Sequence, residues 1–351
     1  MRSRLISGDS LKDEYIFRLT DDTGMLQHSK CGIPDPRHGY TTDDNARALI
    51  MALMLNERFK EKKYTGLAYR YASFLLNAQN PDGTFKNFMG HNREWLEEKG
   101  SEDCFGRCLW AMGYGLSSDS CPQDIKQGLR YMMDASLPHA ASLHSPRGRA
   151  YSLIGLSMTE SRDVQSLILE LGRSLCLMYE EHSDGEWKWF EDIIAYCNSI
   201  LPFSLIRAFR VTGKKSFLET AEASLAFLEK ATFRNGCFRP VGCKGWYRKG
   251  FQPAEYDEQT VEACESVLTY LEAYRITRNS SYLQKAKQCH SWYLGANSKG
   301  ISLIDRETGG CYDGLTEKGV NLNKGAESQI SYVISYLAIS DMTQGGVMSG
   351  E

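Results

Sequence analysis

The chain has 351 residues, 42% of them apolar and 24% charged, the balance of a folded globular protein and not of a disordered one. Its 41 basic and 44 acidic residues leave a formal charge of −3, which offers neither nucleic acid nor an anionic membrane an electrostatic footprint. No apolar stretch reaches the roughly 18 residues of a bilayer span, and the opening MRSRLISGDSLKDEYIF lacks the apolar core of an export signal, so a cytoplasmic protein is expected.

Residues 1–38 read as an N-terminal segment packing on the body of the protein. Asp43 to Leu55 is small and apolar almost all round, as in a helix buried on most sides. Tyr64 to Ala78 is amphipathic, with Leu67, Tyr71, Phe74 and Leu75 on one stripe. The pair then repeats. Inner-type helices are predicted over Asp103–Leu116, Arg149–Met158, Asp192–Phe209, Glu258–Arg275 and Glu327–Ile339, with Pro202 kinking or breaking the first turns of the third of these. Outer-type helices fall between them, over Gln123–Ala135, Val164–Tyr179, Ser216–Ala231 and Tyr282–Leu294. The alternation predicts twelve long helices in two concentric rings, an all-α (α/α)6 barrel with only short β-hairpins in its rim loops. No composition break divides residues 1–351, which read as a single barrel domain.

Each inner helix is preceded by a polar or acidic cluster: TTDD from Thr41, SED from Ser101, RGR from Arg147, WFED from Trp189, YDEQ from Tyr256 and NKGAE from Asn323. Acids are common at helix starts as caps, so any one of them has an ordinary structural explanation. Together, Asp43, Asp44, Glu102, Asp103, Glu191, Asp192, Asp257, Glu258 and Glu327 are expected to point into one cavity. Crowded carboxylates repel unless their charge is shared, protonated or used. A carboxyl pair with separated pKa values is what cleavage of a glycosidic bond requires.

Long irregular segments lead into inner-helix starts at Asp184–Lys188, Asn235–Pro253 and Lys299–Lys324, and loops of such length are usually functional. Trp95, Trp187, Trp189, Phe190, Trp246, Tyr247 and Tyr256 lie in loops or at helix starts, where ring faces suit the C–H faces of a sugar; closing the core rim is the plain alternative for each. Arg47, Arg107, Arg147 and Arg149 either bind an anionic substrate or neutralise the acids. His28 and His38 stand before the first inner helix and titrate near neutrality if unperturbed.

Six of the eleven cysteines (Cys104, Cys108, Cys176, Cys197, Cys264, Cys289) sit inside helical patterns, where thiols pack as small apolar groups. Reduced thiols fit an odd count without an export signal. Cys237 and Cys243 lack the spacing of a zinc site, and Cys289-His290 lies late in an outer helix, so no metal is expected. With no phosphate-binding glycine loop or nucleophile elbow either, no cofactor is expected.

The segments LTDDTGMLQHS from Leu19, HGYTTDDNARALI from His38, WKWFEDIIAYCNSILP from Trp187, YDEQTVEA from Tyr256, DRETGGCYDGL and VNLNKGAES resemble a bacterial helical-toroid domain associated with glycosyltransferases. The resemblance spans nearly the whole chain and implies that it acts either alone or with a glycosyltransferase as a partner in trans. It departs at Tyr196-Cys197-Asn198, where that family usually has YDN, so no acid role carries to position 197. The architecture is also similar to that of (α/α)6-barrel glycoside hydrolases, and the Asp43-Asp44 doublet resembles the adjacent aspartates of α-mannanases with that barrel. Sugar epimerases on the same toroid use paired histidines, and no inner-helix opening here carries one.

The expected function is cleavage of a glycosidic bond in an oligosaccharide, a mannoside among the candidates. Asp44, Asp192 and Glu258 are assigned acid and base roles. Asp43, Asp103, Asp257, Glu327, Arg149, Trp189, Trp246 and His38 are assigned to substrate binding. The rival expectations are a non-catalytic glycan-binding module of a glycosyltransferase system and an unsaturated-uronide hydrolase served by Arg147 or Arg149.

Overall fold

The computed structural model describes residues 11–159 and 164–345, so the first ten residues of the segment 1–38 lie outside the described residues. In chain order the helices are α1 (Glu14–Leu19), α2 (Thr42–Phe59), α3 (Lys62–Ala78), α4 (Glu102–Ser117), α5 (Gln123–Ala140), α6 (Pro146–Leu156), α7 (Gln165–His182), α8 (Ile200–Thr212), α9 (Lys215–Thr232), α10 (Thr260–Thr277), α11 (Ser280–Tyr293) and α12 (Ala326–Gly345).

The even-numbered members form the inner ring, and it closes. Helix α2 packs on α4, α4 on α6, α6 on α8, α8 on α10, α10 on α12, and α12 returns to α2. The fold is an (α/α)6 barrel. Burial follows from this placement: in α6 every residue except Pro146 and Arg149 is buried, whereas outer α3 buries one stripe, Tyr64, Leu67, Ala68, Tyr71, Phe74, Leu75 and Ala78, the spacing of a one-sided helix. The expected twelfth long helix is instead α1, six residues long, which packs on α12.

Helix starts depart from the sequence expectation in two informative places. Helix α8 begins at Ile200, not at Asp192, and Pro202 occupies its first turn, where a missing N–H has no intrahelical acceptor to lose. The residues before it form a short strand, Ile193–Ile194, paired with Tyr247–Arg248. Helix α10 begins at Thr260, and Glu258–Gln259 is a strand paired with Gly314–Thr316. The remaining described strands are also two or three residues long, in rim hairpins and in the pairing of Tyr40–Thr41 with Phe88–Met89.

The core runs between the two rings. All eleven cysteines are free thiols, and eight of them are buried. Among the described residues, no helix is long and apolar enough to cross a membrane.

Candidate active site

At the N-terminal end of the inner ring lies a cavity of about 350 Å³, within the range of small-molecule clefts. Three inner helices build it. Helix α2 contributes Asp43, Asp44 and Arg47; Asp257, Glu258 and Thr260 come from the entry to α10; Gly325, Glu327 and Ser328 come from the start of α12. Loops add Gln27 and His28, Asn87 and Phe88, Cys243, and Asp313, Gly314, Thr316 and Asn321. Among the described residues, α4, α6 and α8 contribute nothing to the lining.

Thr41 caps α2, so neither Asp43 nor Asp44 serves as its N-cap. The Thr41 hydroxyl accepts from the Asp44 N–H at 3.4 Å and donates to Asp44 Oδ2 at 2.7 Å. Asp44 Oδ1 accepts from Arg47 at 2.7 Å, and the other arm of Arg47 reaches Glu327 at 3.1 Å. Asp43 Oδ2 is paired with Arg107 at 2.5 Å. These surroundings split the two acids. Burial and the adjacent Asp43 charge push the Asp44 carboxyl up to about 7, with Arg47 opposing. Burial alone would raise Asp43 too, but Arg107 and Arg47 outweigh it and hold that carboxylate below its usual range. Near neutral pH one member therefore keeps a proton in part of the population while the other is an anion.

Of the residues assigned acid, base or binding roles from sequence, Asp43, Asp44, Asp257, Glu258 and Glu327 reach this cavity, as do Arg47 and His28. Glu258 does so only as wall. It has no exposed surface, and its carboxylate accepts from Arg239 at 3.1 Å, Trp292 Nε1 at 2.8 Å and the Ser298 hydroxyl at 2.8 Å, which leaves little of it for a substrate.

Six others lie elsewhere. Asp192 is displaced with the late start of α8 onto the surface, where its side chain is 67% exposed beside His182 and Lys249. Asp103 accepts from Ser145 at 2.6 Å and from Tyr196. Arg149 donates to the Leu143 carbonyl at 2.6 Å. Trp189 is fully buried against Phe190. Trp246 sits in a tight turn, its N–H bonded to the Gly242 carbonyl. His38 stands outside the lining, ring centre 4.9 Å from His28.

The structure adds residues that sequence reasoning passed over. Asp313, 270 positions from Asp43, accepts from Asn323 at 2.5 Å, the Gly325 N–H at 2.6 Å and Ser328 at 2.7 Å. Phe88, 42% exposed, is the cavity's one aromatic carbocycle among the described lining residues. Beneath, Glu262 and Glu265 of α10 are buried. Glu262 accepts from the N–H groups of Cys197 and Asn198 and from the Asn198 side chain. Burial first, then Glu265, pushes Glu262 up to about 7. Two acids at i and i+3 among the small and apolar residues of that helix's first two turns were the readable signal for them.

No protein-family model matches the chain, and no curated protein does. Solved structures match its fold throughout. A sugar epimerase from a ruminal bacterium superposes with a TM-score of 0.74 at 12% identity, covering 95% of this chain and 97% of that one. The cellobiose 2-epimerase of Spirochaeta thermophila gives 0.71 at 16%, covering 96% and 95%. A GH76 α-mannanase of Bacteroides thetaiotaomicron gives 0.61 at 10%, covering 88% of each chain. At these identities the likeness is one of fold.

Proposed function

We propose that this chain acts on a carbohydrate and cleaves a glycosidic bond, with Asp44 as the proton donor and Asp43 as the anion that activates water or meets the sugar. The observation that carries the reading is the pair itself: two adjacent carboxyls at one cavity, Asp44 raised by burial and its neighbour's charge, Asp43 held down by Arg107 and Arg47. Such a separation is how one site holds an acid and a base at the same pH. Glu327, Asp257 and Asn87 supply polar groups for sugar hydroxyls, and Phe88 supplies an apolar face. The α-mannanase among the fold neighbours makes a mannoside the first substrate to try.

An unsaturated uronide fits less well. The cavity's arginine, Arg47, is committed to Asp44 and Glu327, and neither Arg147 nor Arg149 lines it. Epimerisation is the second reading, favoured by His28 in the lining with His38 edge-on at 4.9 Å. One experiment separates these: incubate the protein with manno- and gluco-oligosaccharides and follow the products by NMR. New reducing ends support hydrolysis, whereas a changed C2 configuration at constant chain length replaces it with epimerisation. A glycan that is bound but unchanged would instead make the chain a binding module, the form in which a glycosyltransferase partner in trans has its place.

A further inference from the structure

Arg107 has no place in the cavity lining, yet it is held on several sides. It is buried on α4. Its Nη1 meets Asp43 at 2.5 Å, and Asp43 is its one ion-pair partner among the described residues. The other arm donates to the Tyr151 hydroxyl of α6 at 3.3 Å and approaches the Cys197 sulfur, ahead of α8, at 3.2 Å. Its guanidinium also lies 5.0 Å from the centre of the Tyr151 ring. Tyr151 in turn donates to Glu265 of α10. One arginine is thus held by α6 and by the segment ahead of α8, and through Tyr151 it is linked to α10, while it grips a carboxylate on α2. Arg107 Nε and Glu265 Oε2 stay unpartnered inside this cluster, so the guanidinium's strongest bond is the one to Asp43.

We propose that Arg107 is a positioning residue for Asp43: it fixes the rotamer and the negative charge of that carboxylate from within the wall, so that Asp43 meets the substrate as the anion of the pair. The inference rests on the acid and base reading of Asp43 and Asp44. The charged and titratable groups around Asp43 leave Arg107 this task. Arg47 on its own helix is already shared between Asp44 and Glu327, and those two carboxylates favour protonation of Asp43. Burial pushes Glu265 on α10, Tyr151 and Cys197 all toward their protonated forms, so none of the three gives Asp43 a positive neighbour. Without Arg107, Asp43 would keep only Arg47, which is shared with Asp44 and Glu327.

The test reads Asp43 directly. In protein labelled with 13C at Asp carboxyls, with the Asp43 resonance assigned from D43N, the titration midpoint in R107M should rise by about one to three pH units, the effect of removing an opposite charge at contact. R107K, which keeps the charge, should move it less. R107Q takes the place of R107M if the latter does not fold. An unchanged midpoint in the neutral variant, or equal movement in R107K, overturns the proposal. Turnover is the second readout. The acid limb of the pH profile should move up with the midpoint, costing about tenfold per pH unit below it, whereas a purely structural role would lower turnover equally at every pH. If the wild type cleaves no glycan, the enzymatic reading fails by itself and the NMR titration still decides the role of Arg107.

Discussion

The two halves of the inner ring solve the same packing problem in opposite ways. On one side α4 and α6 meet backbone to backbone. Gly106 and Gly113 face Gly148 and Gly155, and a Cβ at Gly113 would stand 2.0 Å from the Gly155 carbonyl oxygen. At the rim of that half, polar groups are consumed by one another: Asp103 by Ser145 and Tyr196, Arg147 by Glu191 at 2.8 Å, Glu102 by the N–H groups of His144 and Ser145. On the other side, α2, α10 and α12 stand around an open cavity, and Asp43, Asp44, Asp257 and Glu327 face it. Closing one half by glycine contact leaves the space for a ligand over the other. The cavity lies over the half of the ring whose helices are not joined by paired glycines.

The largest effect expected from this contrast is on activity. D43N and D44N keep side-chain size but remove the anion and the transferable proton, and each should lower turnover of a cleaved glycan by about 10²- to 10⁴-fold with the fold intact. The same change at Asp103 or Asp192, in the sealed half or outside it, should leave kcat unaltered. Equal losses at all four positions would erase the distinction between the halves.

Next in size is the stability of the sealed half. Gly113→Ala or Gly155→Ala drives a methyl into a neighbouring backbone, which cannot swing away as a side chain can. Overpacking costs about 1–3 kcal/mol even where side chains relax, so a loss at or above the top of that range is expected in urea unfolding. If either variant is as stable as the wild type, the helices are not in contact as described.

The two halves also differ in how plainly the amino-acid sequence announces them. The alternation of buried and one-sided helices was legible because burial on all sides and burial on one stripe leave different periodicities, as α6 and α3 demonstrate. Asp43, Asp44, Asp257 and Glu327 were legible because they stand at or beside helix entries on the open half. Asp192 was not, since Pro202 moved the start of α8 eight residues on and carried the acid to the surface. Trp189 and Trp246 misled because an aromatic ring in a loop looks the same whether it closes the core or awaits a ligand. Asp313 and Phe88 reach the cavity through long-range loop packing, for which local sequence has no signature.

A subtler contrast lies in pH. Asp44 and Glu262 are raised to about 7. In that case the folded state holds protons that the unfolded state has released, so their contribution is present below about pH 4 and lost as pH rises toward 7. Asp43 has the opposite sign, because its pKa is lowered; its contribution is present above the unfolded value and lost as pH falls through the folded one. Urea midpoints measured from pH 4 to 8 should therefore fall less steeply in D44N and E262Q than in the wild type. D43N should be destabilised most at the neutral end. Since a tenfold change in proton affinity corresponds to about 1.4 kcal/mol, differences on the order of 1–3 kcal/mol are expected. Parallel curves for D43N and D44N would mean that the two acids are not held in different charge states.

The smallest effect has the opposite sign and comes from the same residue type. Gly66 in α3 and Gly128 in α5 lie in outer helices, and a Cβ at either meets nothing within 4 Å. No close approach requires a glycine there, so each only loosens the unfolded chain and weakens its helix. Gly66→Ala and Gly128→Ala should each stabilise the protein by about 0.5–1 kcal/mol, the difference in helix propensity between the two residues. The chemical change is the same methyl group that is expected to be damaging at Gly113. A stabilising result at Gly66 with a destabilising one at Gly113 would assign the cost to the meeting of α4 and α6. Destabilisation at both would mean that the outer ring is packed more closely than an open Cβ position allows.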